Sequence, residues 1–247
     1  MIFAQYPKTR KALPREYQVL YEDYYLVNRQ GKSNATSLAG RMESWMHKIT
    51  SGCFDKSKTT TATLEIGAGT LNHLNYEQPG GKYDIAEPFK TLYHNSPNLG
   101  KVNTIYSYIR EIPEDVKYDR ILSIAVLEHL ENLPAEIALA ALHLTGDGRF
   151  LAAIPGEGTL LWKLGWKLTT GLEFRMKYKL KYHVLMEYEH VNTAQEIEGV
   201  LKYFFSNVQY RVFGLSKKLS FYRFYHCEKP DTEKCLNFLE KYYENPR

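Results

Sequence analysis

The chain has 247 residues, 44% of them hydrophobic and 14% aromatic, and carries a formal net charge of only +4. The length suits one elaborated domain with an ample core, and so small a charge argues against a nucleic-acid binder. No apolar run reaches the roughly 18 residues that a transmembrane helix needs, and the N-terminus lacks the apolar stretch of a signal peptide.

Three cysteines, Cys53, Cys227 and Cys235, form no CxxC pair, so reduced thiols and a cytoplasmic chain are expected. Residues 1–13, with three Lys/Arg and one Pro, read as an arm. Residues 14–29 read as a helix with Pro14 near its first turn. Ser33 or Asn34 can cap a second helix, in which Leu38, Met42, Trp45, Met46 and Ile49 form one apolar stripe, and Gly52 ends it. From residue 61 the pattern alternates. Short apolar runs at 61–66, 82–86, 102–106, 118–123 and 149–154 read as strands. Helical stretches are expected at 70–76, from Pro88 to about Tyr93, and through Leu127–Leu144. Such alternation predicts a mostly parallel sheet covered on both faces. Val191–Phe204 reads as a helix. Residues 207–213 and 219–227, joined by a short connection, read as an antiparallel pair. A last helix is expected over 231–243, capped by Asp231 or Thr232.

Residues 160–182 hold six Lys/Arg and one acid, Glu173, so this insert is more basic than the chain as a whole. Within it Phe174–Tyr182 alternates apolar with cationic residues. As a strand it would place all four cations on one face. The insert reads as a cover over a cleft with its basic side outward. That side could meet only solvent, an anionic substrate such as a nucleotide-linked or lipid-linked sugar, or, with Trp162 and Trp166, an anionic lipid surface.

The most informative stretch is Thr63-Leu64-Glu65-Ile66-Gly67-Ala68-Gly69-Thr70, a buried strand ending in a glycine turn. A second strand ends at Glu87, 20 residues beyond Gly67, the spacing of a βαβ unit that wraps a ribose-containing ligand. Asn72 stands where dinucleotide binders have a third glycine, so the unit suits a nucleoside without a pyrophosphate, and an NAD-dependent oxidoreductase is disfavoured.

Glu65–Thr70 resembles the first motif of class I S-adenosylmethionine-dependent methyltransferases. Glu87 resembles their ribose-binding acid. Tyr118–Leu130 resembles their fourth strand with the helix start after it, and Gly146–Pro155 their paired-glycine turn and fifth strand. Four motifs in family order cover roughly residues 60–155, within a similarity extending to about residue 228. The resemblance implies a Rossmann-like α/β fold, a mostly parallel sheet with a C-terminal antiparallel strand, and S-adenosyl-L-methionine as cofactor. The expected organisation is N-terminal arm and cap helices over 1–55, the cofactor-binding domain over 56–230 with a lid insert at 158–190, and a C-terminal helix over 231–247. In this family N-terminal helices commonly cover the cleft; plain packing on the sheet edge is the alternative.

The resemblance assigns Glu65, Gly67, Gly69, Thr70, Glu87, Ser123 and Glu128 to the cofactor. Glu87 would accept both ribose hydroxyls. Gly67 and Gly69 would let the backbone approach the methionine end, Glu65 would act there indirectly, and Thr70 could cap the following helix. Where the family has an acid near the adenine amino group, this chain has Tyr108, or Ser107 beside it. On the acceptor side, Glu128-His129 stands at the lip of the crevice, where His129 could be a base, touch the cofactor or acceptor, or simply start a helix. Glu187–Asn192 resembles a Glu-His-Val-Asn element of methyltransferases associated with bacterial surface-polysaccharide synthesis, which makes His190 and Glu189 the candidate base and its brace. The plainer reading has Asn192 or Thr193 capping a helix and Glu189 supporting it. Ubiquinone-type O-methyltransferases bind metal through Glu-x-x-Glu-His; the first of those positions is Ala125 here, so no metal is expected.

The expected activity is methyl transfer to a small-molecule or sugar acceptor, an O-methyltransferase with a small or anionic partner. A nucleic-acid methyltransferase is the rival enzyme, opposed by the low charge and by Ser123-Ile124-Ala125-Val126 in place of an Asn-Pro-Pro-Tyr element. A non-catalytic binding protein of the same fold is the third reading and rests on Tyr108.

Overall fold

The computed structural model describes residues 3–21, 37–52, 61–78, 80–156, 159 and 170–244. Ser33, Asn34, Cys53, Trp162 and Trp166 fall outside them.

Among the described residues, seven strands form one sheet in the order β3-β2-β1-β4-β5-β7-β6. They are β1 (Thr63–Ile66), β2 (Tyr83–Ala86), β3 (Thr104–Tyr106), β4 (Tyr118–Ile124), β5 (Leu144–Pro155), β6 (Phe205–Ser216) and β7 (Leu219–Pro230). The first five run parallel, and β7 pairs antiparallel with both β5 and β6. This is the expected mixed sheet. β1 and β2 are buried at every residue, which is why they do not show the alternation of a half-exposed strand.

The helices among the described residues are α1 (residues 15–21), α2 (Ser37–Ser51), α3 (Lys90–Tyr93), α4 (Leu133–Leu142), α5 (Thr170–Tyr178), α6 (Tyr182–Glu189), α7 (Ala194–Phe204) and α8 (Thr232–Glu244). One face of the sheet packs on α4, α7 and α8 around Leu64, Ile121, Phe150, Leu201 and Phe204. The other packs on α2 around Met46, Ile85, Leu122 and Leu151. Pro134 at the start of α4 fits the first helical turn, where its missing N–H costs nothing. Thr193 and Glu196 form a reciprocal capping box on α7, and Asp231 accepts the Lys234 amide at the start of α8.

Three local expectations are corrected, and a fourth, the cap at Asn192 or Thr193, is narrowed to Thr193. The arm expected over 1–13 is, from residue 3 on, a docked segment: Tyr6 and Leu13 are buried, and Lys8 reaches Glu196 at 2.6 Å. Thr70 caps nothing. The turn after the glycines is a 3-10 turn over Asn72–Asn75 whose N-cap is Leu71, in a left-handed conformation at φ 63°. Asn192 is not a helix cap either; Thr193 alone caps α7. Finally, 174–182 is not a strand but the end of α5, a turn at Lys179 with φ 56°, and the start of α6. Arg175, Lys177, Lys179 and Lys181 are all exposed, as expected, but Met176 is 70% exposed with them. The aromatic spacing of four, Phe174 to Tyr178, suits the helix: those rings pack with centroids 4.9 Å apart on one helical face.

That face belongs to a small separate cluster in which Phe174 and Leu185 pack against Leu13 and Tyr17. The N-terminal segment, α1, α5 and α6 therefore make one cover. By contrast α2 packs on the flat of the sheet. The two expectations for the N-terminal helices divide between α1 and α2.

Candidate active site

The register of the sheet sets the floor of the site. Ile66 lies opposite Ala86 on one side and Ser123 on the other, so Gly67 and Glu87 emerge side by side at the carboxyl ends. The strand order reverses direction between β1 and β4, and ligands of open α/β sheets bind in the crevice at such a switch point. A cleft of about 250 Å³ opens there, lined by Gly67, Glu87 and Phe89, by Ser107 and Tyr108, and by Val126, His129, Glu136 and Glu189, with Arg10 and Tyr21 from the cover.

Gly67 has φ +69°, and a Cβ added to it would lie 2.4 Å from Val126 Cγ2. Both the left-handed conformation and the close approach of the β4 loop require glycine. Gly69 has φ +52° with open space around it. Its amide donates to Glu87 Oε2 at 2.9 Å, and the Phe89 amide donates to Oε1 at 2.9 Å. Two amides thus fix the Glu87 carboxylate at the tip of β2, where it is only 2% exposed yet faces the cleft. Each carboxylate oxygen retains a lone pair for a hydroxyl in the cleft.

Tyr108 lines the cleft half-exposed, its ring under the Arg110 guanidinium at 4.6 Å. Glu136, on the first turn of α4, lines the same wall and was not anticipated from the sequence. Burial raises the pKa of its carboxyl, against an opposing pull from Arg110. Nothing in the local sequence marks it, because its role depends on how α4 docks under the loop after β3.

Glu65, Thr70 and Ser123 do not line the cleft. Ser123 is fully buried one residue short of the strand end. Thr70 contributes its carbonyl to Ser96 at 2.8 Å. Glu65 is buried on the α2 face and accepts from the Tyr83 hydroxyl at 2.7 Å, with burial raising its pKa. Next to it lies a polar network that the sequence did not suggest. Arg120 grips Glu77 with two bonds, at 2.7 and 3.0 Å, and His73 Nε2 meets Glu77 at 2.8 Å. A carboxylate only accepts, so His73 donates to it from Nε2, and the His73 and His47 Nδ1 atoms meet at 3.0 Å, one of them donating to the other. Burial alone would raise the Glu77 carboxyl, but the bonds from His73 and Arg120 outweigh it and hold the pKa at about 2. Burial and the neighbouring His73 push His47 down to about 4. His73 stands three residues past Thr70, so this network buttresses the glycine turn from beneath.

On the acceptor side the structure brings together what the sequence keeps 60 residues apart. His129 Nδ1 lies 2.9 Å from the Glu189 carbonyl, and the His129 and His190 rings meet edge to face at 4.9 Å. A carbonyl only accepts, so His129 is protonated on Nδ1 and presents Nε2 as a lone pair in its neutral form. Nε2 lies 3.8 Å from Glu128 Oε1. His129 and Glu189 line the cleft, while His190 packs behind His129. Asn192 holds the arrangement together. Its side-chain amide donates to the Leu127 and Leu130 carbonyls at 2.9 and 2.7 Å, its backbone amide to the Glu128 carbonyl at 3.0 Å, and its Oδ1 accepts from Tyr6 at 2.9 Å.

No protein-family profile matches the chain, and no curated protein matches it in sequence. Solved structures do share its fold. The plantazolicin methyltransferase BpumL, in complex with a triazolic desmethylPZN analog and SAH, superposes with a TM-score of 0.59 at 14% identity, over 87% of this chain and 93% of that one. The CurJ carbon methyltransferase gives 0.57 at 18% identity, over 88% of this chain and 62% of that one. The N-methyltransferase NodS from Bradyrhizobium japonicum WM9 gives 0.52 at 11% identity, over 77% and 96%. The chain has the Rossmann-like class I methyltransferase fold that its four motifs resemble.

Proposed function

We propose that this protein is an S-adenosyl-L-methionine-dependent methyltransferase acting on a hydroxyl of a small polar acceptor, with a sugar or glycan as the narrower reading. The observation that carries the first part is Glu87, held by two backbone amides at the switch point beside the positive-φ Gly67. That is a preorganised acceptor for the two hydroxyls of a ribose. Neighbours of the same fold are a plantazolicin methyltransferase, a carbon methyltransferase and an N-methyltransferase, and the first, BpumL, was solved with SAH. The cofactor supplies the methyl group as a sulfonium, already a good leaving group. The protein's share is to align donor and acceptor and to exclude water. Tyr108 and Phe89 offer rings to a base, and Glu136 supplies the carboxylate that the Tyr108 position lacks. His129 and Glu189 face the acceptor, with Glu128 and His190 packed against His129.

The hydroxyl and sugar readings rest on His129 Nε2 beside the cleft and on the likeness of Glu189-His190-Val191-Asn192 to enzymes of surface-polysaccharide synthesis. Among the described residues no helix is long and apolar enough to cross a membrane. Calorimetric titration with S-adenosylmethionine and S-adenosylhomocysteine tests the core of the proposal. Saturable binding of both by the folded protein is expected, and binding of neither would end it.

A further inference from the structure

We infer that Glu128, His129 and His190 form a binding site for one divalent transition-metal ion at the acceptor edge of the cleft. The inference deepens the methyltransferase reading and rests on it for its role. Each of the three residues offers one ligand atom, and these atoms all lie within 4.8 Å of one another. Ligand atoms around an ion at about 2.1 Å stand roughly 3.0–3.5 Å apart. The Glu128 Oε1 to His129 Nε2 separation of 3.8 Å therefore closes with a small side-chain shift. Two imidazoles and one carboxylate suit zinc, manganese, cobalt or iron in the divalent state, and suit magnesium or calcium poorly.

The surroundings are those of a built site. The Glu189 carbonyl fixes the His129 tautomer from Nδ1, the usual outer partner of a metal-bound imidazole, which leaves Nε2 to face the carboxylate. Asn192 pins the backbone of Glu128 and joins the turn that carries Glu128 and His129 to the segment that carries His190. Glu128 is 2% exposed, and a carboxylate so buried is retained at low cost when it meets a cation. His190 comes from a different part of the chain than Glu128-His129, so neither segment alone contains the set. This is why Ala125 does not decide the matter: the ligand that a carboxylate at that position would supply comes instead from the end of α6.

Three protein ligands leave coordination positions open toward the cleft, the pattern of a reactive rather than a structural site. An acceptor with two adjacent oxygens, such as the vicinal hydroxyls of a sugar, can fill them. Coordination lowers the pKa of the bound hydroxyl, and its proton passes to solvent. The alkoxide oxygen then forms the O–CH₃ bond as the S–CH₃ bond breaks, and the electron pair returns to sulfur to leave a neutral thioether.

The test uses the untagged full chain, freed of metal by a chelator. It is titrated by calorimetry with Zn²⁺, Mn²⁺ and Mg²⁺, and with Co²⁺ followed by visible absorption. One saturable transition-metal site per chain is expected, with Mg²⁺ much weaker. H190A and the near-isosteric E128Q should each weaken it at least 10- to 100-fold. Thermal unfolding identifies any variant that fails to fold, and E128Q stands in if H190A does. No saturable site in the wild-type protein, or a site unchanged in the folded variants, overturns the inference. The same samples are titrated with S-adenosylhomocysteine. Cofactor binding without metal binding removes the metal site and leaves the methyltransferase reading intact, whereas metal binding without cofactor binding removes that reading and leaves the site.

Discussion

Gly67 and Gly69 sit two residues apart in one turn, yet a methyl group added to each meets different surroundings. At Gly67 it strikes Val126 and forces a left-handed φ on alanine; at Gly69 it meets open space and carries only the conformational cost. Gly67→Ala should therefore cost about 2–4 kcal/mol, from left-handed strain plus overpacking, and abolish cofactor binding. Gly69→Ala should cost about 1–2 kcal/mol and weaken binding only modestly. Urea unfolding with S-adenosylhomocysteine titration separates the two, and equal effects would contradict this geometry. Glu87→Gln should weaken cofactor affinity by about 1.5–3 kcal/mol, the range for hydrogen bonds to a charged group, while the strand beneath keeps its fold. Glu136→Gln should change the preference for adenosyl over inosyl analogues of the cofactor by several-fold, since a carboxylate accepts from an exocyclic amine. An unchanged ratio would remove Glu136 from the site. The glycines and Glu87 were legible because their chemistry lies in short local patterns. Glu136 and Arg10 were not, because each reaches the cleft only through the docking of its whole segment.

At the scale of elements, α2 and the 3-10 turn after the glycines meet through His47, His73, Glu77 and Arg120, with Glu65 and Tyr83 beside them and Glu43 4.0 Å from His47. His47 titrates near 4 in the fold against its ordinary 6.5, so the unfolded chain binds more protons between those values. Its contribution, at most about 3 kcal/mol, is fully present above pH 6.5 and lost as pH falls toward 4. Glu77, depressed to about 2, loses its own contribution below about pH 4.5, in the same direction. Stability measured by urea unfolding should therefore fall between pH 7.5 and 5, and His47→Gln should flatten that dependence. A variant as pH-sensitive as the wild type would place the titration elsewhere. The cover behaves as a separate element. Phe174→Ala removes a buried ring worth about 3–5 kcal/mol locally, so hydrogen exchange should quicken in residues 15–21 and 170–189 while β1, β4 and β5 stay protected. Here the sequence misled: alternation over nine residues fits a strand, but the same nine residues carry aromatics four apart and helix-forming Lys, Arg and Met, and the local pattern cannot choose between the two periods.

At the scale of the whole molecule, strand direction was legible because parallel runs alternating with helices admit few topologies. The Asn192 junction was not, since it joins Tyr6, the turn at Leu127–Leu130 and the start of α7 from three distant parts of the chain. Asn192→Ala should leave three polar groups unsatisfied, cost about 2–4 kcal/mol, and weaken metal and acceptor binding more than cofactor binding, as parallel titrations would show. The position of β7 has a consequence for how the protein comes into being. The strand that leaves the ribosome last is not at the rim; it slots between β5 and β6. Until residue 230 has emerged, the nascent polypeptide carries β5 as a bare apolar edge and β6 with no neighbour. Such an open edge is a template for pairing with other chains. A chain truncated within β7, before residue 230, should therefore yield aggregating product rather than a slightly shortened enzyme, and folding of the sheet depends on that edge being shielded until β7 arrives.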